Sequence, residues 1–117
     1  MKLIKQLIES MGISIDYKVG RSAEENDAII DEARPDDIWF HMGTTSSCHV
    51  IAIIPDDLIL DKKQLRLIIV QGAVICKQHS KLKSTPNAEV VYTKIKNIEK
   101  TDIPGRVIMI NAKTIII

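Results

Sequence analysis

Two histidines and a cysteine, His41, Cys48 and His49, stand close together in the sequence. Imidazole nitrogens and a thiolate can ligate zinc, and a cysteine beside a histidine can act as a nucleophile with its base. However, no acidic residue is placed to orient either histidine, and the ligand spacings of common zinc sites are absent. Two other interpretations stay open: hydrogen bonding to a ligand at a loop, and satisfaction of backbone groups at strand ends.

A β-hairpin is the element that must position these three residues. Residues 37–42 alternate, with Ile38, Phe40 and Met42 on one side and Asp37, Trp39 and His41 on the other. Residues 49–54 are rich in β-branched side chains and stop at Pro55. Gly43 and the following Thr-Thr-Ser-Ser tract favour a turn. The pattern therefore predicts two antiparallel strands joined by a loop longer than the tightest kind.

Before the hairpin, the pattern predicts three elements. Leu3, Ile4, Leu7 and Ile8 recur at helical spacing and indicate a short amphipathic helix. Residues 13–19 alternate as in a strand. Ser22 and Glu25 have capping-box order and predict a helix from about Ala23 to Ala33.

After the hairpin, residues 61–80 predict the longest helix, whose wide apolar surface should lie across a sheet. A close helix–sheet contact at Gly72 would offset the helical cost of glycine. Residues 89–94 form a strong strand pattern, a polar connection leads to a Pro104-Gly105 turn, and residues 106–117 add one or two strands divided near Asn111. The predicted fold class is α+β: a single domain, residues 1–117, with a mainly antiparallel sheet and two packed helices.

Composition narrows the class of protein further. No apolar stretch is long enough to span a bilayer, and Lys5, Gln6 and Glu9 interrupt the apolar residues near the N-terminus, which predicts a soluble, cytoplasmic protein without a membrane segment. Cys48 and Cys76 are too few for a disulfide framework. Because dinucleotide, phosphate-loop, hydrolase and zinc-protease motifs are all absent, we predict neither an enzyme nor a bound cofactor or metal.

The charges are divided unevenly along the chain, although the formal net charge is +1. Residues 1–60 carry 5 Lys/Arg against 11 Asp/Glu, a net of −6, whereas residues 61–117 carry 11 against 4, a net of +7. A basic cluster, including Lys77, Lys81 and Lys83, follows the longest helix, and one or two of its lysines suffice to complement the helix C-terminus. A nearly neutral protein can therefore still present a basic face.

A succession of segments along the chain resembles the NFACT-R domain of ribosome-associated quality-control factors and of small stand-alone relatives. These segments are GRSAEEND, PDDIWFH, SSCHVI, CKQHSKLK, VVYTK and PGRV. The resemblance runs from about Ile13 to the C-terminus. It implies an α+β domain that binds RNA and has no catalytic activity, and it implies a strand rather than a helix for residues 3–9.

The family positions carry over onto numbered residues of this chain. Its Gly-Arg and Asn-Asp pairs fall on Gly20, Arg21, Asn26 and Asp27. Its Asp-x-Trp-Phe-His falls on residues 37–41, its Ser-His-Val on residues 48–50, and its lysine-rich helix exit on Ser80, Lys81 and Lys83. Many members have Gly-Ser where this chain has Ser47-Cys48.

Together these observations predict a non-enzymatic nucleic-acid-binding domain for structured RNA, tRNA or rRNA, in translation or ribosome quality control, with DNA as a second nucleic-acid partner. The predicted contacts with phosphate, sugar or backbone groups are Arg21, His41, Ser47, His49, Lys77, Lys81, Lys83, Lys94 and Lys96. One alternative is a protein-interaction module that docks on a ribosomal or quality-control partner through the apolar edge at Ile115–Ile117. The other is the metal or thiol site at His41, Cys48 and His49.

Overall fold

A computed structural model describes residues 1–117. Strands with alternating apolar residues form the antiparallel sheet that makes up most of the fold. The strands are β1 (Lys2–Ile8), β2 (Ile13–Gly20), β3 (Ile38–Met42), β4 (His49–Ile53), β5 (Glu89–Lys94), β6 (Ile98–Lys100), β7 (Val107–Met109) and β8 (Lys113–Ile116). The helices are α1 (Ala23–Glu32) and α2 (Lys62–Gln78). Six strands form the main sheet in the order β1-β2-β4-β3-β5-β8, and β6 pairs with β7. The predicted α+β class is confirmed.

The first element is a strand, so the helix indicated by the spacing of its apolar residues is wrong and the strand implied by the family resemblance is right. Every residue of β1 pairs with β2, from Lys2 opposite Val19 to Ile8 opposite Ile13. A 3₁₀ turn and Gly12, at φ +66°, reverse the chain between the two strands. Pairing along a whole strand outweighs the weak local helical preference of seven residues.

The main sheet has two covered faces, and we name them after the helix that packs on each. On the α2 face, alternate residues Ile38, Phe40 and Met42 join the larger core cluster with α2. On the α1 face, Trp39 packs with Ile29 and Ile51 in a smaller cluster. The two-sided alternation predicted for β3 is therefore confirmed, and it places His41 on the α1 face.

Helix α2 approaches the sheet most closely at Gly72. A Cβ atom at this position would lie 2.2 Å from Cζ of Phe40, which is fully buried. The Tyr17 hydroxyl also donates to the Ile68 carbonyl oxygen across the same interface, at 2.8 Å. The close helix–sheet contact predicted at Gly72 is confirmed. The helix begins with a reciprocal capping box between Asp61 and Gln64.

Helix α1 begins as predicted at Ser22, whose Oγ accepts from the Glu25 backbone N–H at 3.1 Å. The capping box is only half formed, because the Glu25 carboxylate accepts instead from the Arg21 backbone N–H. Neither helix is both long and apolar enough to cross a bilayer.

The two ends of the β3–β4 hairpin are fixed by different groups. At one end, which we call the base end, the buried Asp37 carboxylate accepts from the backbone N–H groups of Arg34 and Ile54, each at 2.9 Å. At the other end, the loop end, residues 43–48 connect the strands, and the Ser47 hydroxyl accepts from the Met42 N–H at 3.1 Å. The predicted hairpin is confirmed.

The segment after β5 contains one element that the pattern did not reveal. The connection predicted as polar loop includes β6, which pairs with β7 over three residues to form a small hairpin. The Gly105 N–H at its turn donates to the Asp27 carboxylate of α1 at 3.0 Å. Asn111, at φ +52°, then redirects the chain into β8, as the predicted division of the last strands requires.

Candidate nucleic-acid interface

Three rings form a cluster on the α1 face near the loop end. The Trp39 indole N–H donates to His49 Nδ1 at 3.1 Å. The His41 ring lies parallel to the indole, within 1°, with ring centroids 5.8 Å apart, and it meets the His49 ring edge-on at 5.2 Å. Since Trp39 and His49 are almost completely buried, they fix the plane of His41, which stays partly exposed.

The two histidines are neutral at physiological pH. Burial lowers the pKa of His41 below its usual range. Burial and the neighbouring His41 lower the pKa of His49 to about 4. Because the indole N–H can only donate, His49 Nδ1 must accept and the proton of the neutral ring stands on Nε2. Neither histidine therefore supplies a positive charge for a phosphate at neutral pH.

The backbone of His49 is held by helix α1. Its N–H donates to Asn26 Oδ1 at 3.1 Å, and His49 pairs with Gly20 of β2. A Cβ atom on Gly20 would lie 2.4 Å from the same amide oxygen. Glycine at position 20 thus lets Asn26 reach between the strand ends.

A groove of about 440 Å³ opens over this cluster, between the loop end and the β6–β7 hairpin. His41 and Ser46 lie on one wall, and Ile103, Arg106 and Met109 lie on the other. The hydrogen bond between the Asp27 carboxylate and the Gly105 N–H holds the second wall against α1. The groove combines aromatic, hydroxyl and apolar groups with the guanidinium of Arg106.

The Ser47 hydroxyl is largely engaged within the protein. It accepts from the Met42 N–H and donates to the Cys48 carbonyl oxygen at 2.9 Å. A ligand in the groove can therefore use it only as an acceptor.

Cys48 does not join the histidines, which lie on the α1 face. Cys48 packs against the core of the α2 face, and hydrogen bonding with the Cys76 thiol lowers the pKa of Cys48. No group of three or more His, Cys, Asp or Glu residues is arranged to hold a metal ion. The metal or thiol alternative required His41, Cys48 and His49 to converge, and it lacks that geometry.

The basic cluster after the long helix lies at the loop end, on the other side of the sheet. Helix α2 ends there, because Lys77 Nζ donates to the Ile117 carbonyl oxygen and the Ile117 backbone pairs with Ala88, just before β5. Lys81 and Lys83 are exposed and belong to no ion pair. The groove and these lysines therefore lie on opposite faces but at one end of the sheet.

The remaining predicted residues lie elsewhere. Lys94 pairs with Ile38 at the base end, about 10 Å along the strand from His41, and both Lys94 and Lys96 have Nζ 3.6 Å from the Asp36 carboxylate. Arg21 follows β2 near the loop end, and its Nε lies 3.9 Å from the Glu25 carboxylate.

Asn26 and Arg106 are among the groove residues that were not predicted as contacts. The family resemblance had marked Asn26 and the PGRV turn, so both positions could have been assigned from it. What the pattern alone could not reveal is that a turn eighty residues downstream packs beside the N-terminal half of α1.

The apolar chain end proposed as a docking edge is partly used in the fold. β8 pairs with β5, and Ile115 is buried in the α2-face core. The side chain of Ile116 is 54% exposed. Only part of the predicted apolar edge is thus available to a partner.

Similarity to known proteins identifies the family of this chain. The family model described as the NFACT protein RNA-binding domain matches residues 14–110. The chain belongs to the NFACT-R family. Coiled-coil domain-containing protein 25 from Bos taurus and from Mus musculus is 33% identical to it over 93 residues, which cover 71% of this chain and 40% of each relative. This NFACT-R chain thus spans less than half the length of these relatives.

A solved structure supports the fold of this NFACT-R domain. The C-terminal part of the fibronectin/fibrinogen-binding protein from Streptococcus suis superposes on the whole chain with a TM-score of 0.78, at 21% sequence identity and over 45% of that chain. At this identity the likeness concerns the fold alone.

Proposed function

We propose that this domain binds structured RNA, tRNA or rRNA, across the loop end of its sheet, as a non-enzymatic module of translation or ribosome quality control in the cytoplasm. Membership of a family of RNA-binding domains supports nucleic-acid binding in general. The distribution of charges and the scarcity of exposed rings support structured RNA as the ligand and the loop end as the site.

One observation carries the proposal. Between residues 62 and 88 the chain has six Lys/Arg side chains and no carboxylate. None of the six pairs with an Asp or Glu side chain. Lys77 Nζ donates to the Ile117 backbone oxygen, and the other five side chains are free to contact phosphates. The six form two groups about 22 Å apart along α2: Lys62, Lys63 and Arg66 at its start, and Lys77, Lys81 and Lys83 at its exit. The second group lies at the loop end, where it suits the backbone of a folded RNA.

The fold disfavours an extended single strand as the main ligand. Sequence-tolerant binding of single strands relies on several exposed aromatic rings, whereas Trp39, Phe40 and Tyr17 are fully buried. Recognition of shape and backbone is the mode that remains.

A labelled tRNA titrated at several salt concentrations tests the proposal. If about four lysines neutralise phosphates, log K should fall with log salt with a slope on the order of −3 to −4. Lys81→Glu combined with Lys83→Glu should reduce the magnitude of that slope by about two and weaken binding on the order of fifty-fold at 0.1 M salt.

The matched control is Lys62→Glu with Lys63→Glu, which makes the same charge change at the far end of α2. We expect a smaller loss from it, because the proposed site lies at the loop end. Equal losses from both pairs would indicate attraction by net charge alone. Binding that is independent of salt, or absent at low salt, contradicts the proposal, and a DNA duplex of matched length shows whether the site prefers RNA.

A further inference from the structure

We infer that the groove between the loop end and the β6–β7 hairpin holds one unpaired nucleotide of the bound RNA, its base on the His41 ring and its phosphate on Arg106. This inference rests on the proposed function, which it extends from backbone contacts to a specific pocket.

The groove has the size and the flat surface that a nucleotide needs. Its volume of about 440 Å³ lies in the range of small-ligand sites. His41 is partly exposed and its plane is fixed by the parallel Trp39 indole behind it. Trp39 itself is 1% exposed, so a base can reach only the imidazole. Histidine is among the rings on which splayed RNA bases stack.

The charges of the groove favour a base on its uncharged floor and a phosphate at Arg106. Its two histidines are neutral at pH 7, for the reasons given above, so the floor carries no cation that would draw a phosphate inward. Arg106 is the one Lys or Arg among the lining residues, and no carboxylate side chain lines the groove. Its guanidinium is in no ion pair, so it can bind a phosphate bidentately.

Polar groups beside the ring can contact the edge of a base. Asn26 Oδ1 is used by the His49 N–H, which leaves the Asn26 amide nitrogen to donate. Ser46 also lines the groove, and its side chain is exposed. These donors and acceptors suit the edge of a base that is not engaged in pairing.

The groove and the basic cluster can act on one RNA. Both lie at the loop end, with residues 43–48 between them. If Lys81 and Lys83 bind a paired stem on the α2 face, an unpaired nucleotide next to that stem can cross residues 43–48 and reach the groove on the α1 face. Hairpin loops and single-stranded extensions supply such nucleotides.

The test compares a blunt RNA duplex with the same duplex carrying a short single-stranded extension. In the wild type we expect the extension to increase affinity about tenfold, as one stacked base can provide. His41→Ala and Arg106→Ala should each remove most of this gain, so that each variant binds the extended and the blunt duplex with nearly equal affinity. His41→Phe, which restores a flat ring, should preserve the gain.

Opposite results are readily distinguished. The inference is overturned if the wild type gains nothing from the extension, or if His41→Ala keeps the full gain. Failure of both RNAs to bind contradicts the proposed function itself. If the variants do not fold, titration of wild-type protein with adenosine monophosphate decides: saturable shifts of the Trp39 indole N–H and His41 ring signals support the groove, and unchanged signals refute it.

Discussion

His49 supports the candidate site from within the protein. Its exposed fraction is only 2%, its Nδ1 accepts from Trp39, and its N–H donates to Asn26. The first bond fixes the indole that lies parallel to the His41 ring, and the second joins His49 to a residue of the groove wall. His49 also lines the groove, so its predicted contact with RNA stays a prediction, and His41 is the more accessible of the two rings.

The buried neutral state of His49 makes stability depend on pH. Its pKa is about 4 in the folded protein and about 6.5 when unfolded. Between these values the unfolded chain binds a proton that the folded protein does not, so stability falls as the pH falls through this window. We expect His49 alone to lower the free energy of unfolding by about 2 kcal/mol between pH 7 and pH 5.

Urea unfolding at pH 7 and pH 5 measures this loss. The control is His49→Asn, whose amide oxygen can still accept from the Trp39 indole but does not titrate. Between pH 7 and pH 5, the free energy of unfolding of the His49→Asn variant should fall by about 2 kcal/mol less than that of the wild type. An identical pH dependence in both proteins would refute the assignment to His49.

At the scale of elements, the packing of α2 on the sheet determines where the basic cluster lies. Gly72 allows the helix to approach Phe40, and Tyr17 bonds to the Ile68 carbonyl from β2. These contacts fix the helix across β3 and β4. The C-terminal end of α2 and Lys77 therefore reach the loop end.

Gly72→Ala tests this close contact. Alanine is the better helix former by about 1 kcal/mol, yet its methyl group would collide with the Phe40 ring. Since overpacking a core costs about 1–3 kcal/mol, we expect a net destabilisation. Gln71→Ala, one position earlier on the helix, should change stability by less than about 0.5 kcal/mol.

Thermal and urea unfolding of the two variants give the comparison. Phe40→Leu introduced together with Gly72→Ala should recover part of the loss, because the two side chains compete for the same space. A Gly72→Ala protein more stable than the wild type would mean that the helix can move away from the sheet.

At the scale of the whole molecule, the sheet separates opposite charges. Helix α1 carries five carboxylates and no Lys or Arg. In α2 and the segment after it, to residue 88, all charged side chains are Lys or Arg. A formal net charge of +1 hides this separation. Three of the five α1 carboxylates are paired with cations, so an approaching polyanion is attracted more strongly to the α2 face than to the α1 face and is thereby oriented before contact.

Association kinetics should reveal this orientation. Stopped-flow binding of the tRNA should give an association rate constant that falls about tenfold or more between 50 and 200 mM salt. The dissociation rate constant should change less, because steering acts on the encounter. An association rate unaffected by salt would contradict the role given to the separated charges.

The sequence made most of the fold predictable, because periodicity and capping are local. The hairpin at Trp39 and the cap at Ser22 follow directly from such patterns. Local periodicity failed at Leu3 and Leu7, where pairing with β2 decides the outcome. The groove was not predictable either, because only the folded chain brings Arg106 next to His41.

The buried carboxylate of Asp37 has a consequence for motion. It anchors Arg34 and Ile54 at the base end, where the Ile95 N–H also donates to the Asp37 carbonyl at 2.8 Å. At the loop end, hydrogen bonds hold Met42 to Ser47, Gly43 to Glu89 and His49 to Asn26, whereas residues 44–46 between them take part in no hydrogen bond. We therefore expect hydrogen exchange to be slowest at the base end and to quicken toward residues 43–48. The rigid end keeps the fold in place while the opposite end stays free to adjust to whatever RNA it meets.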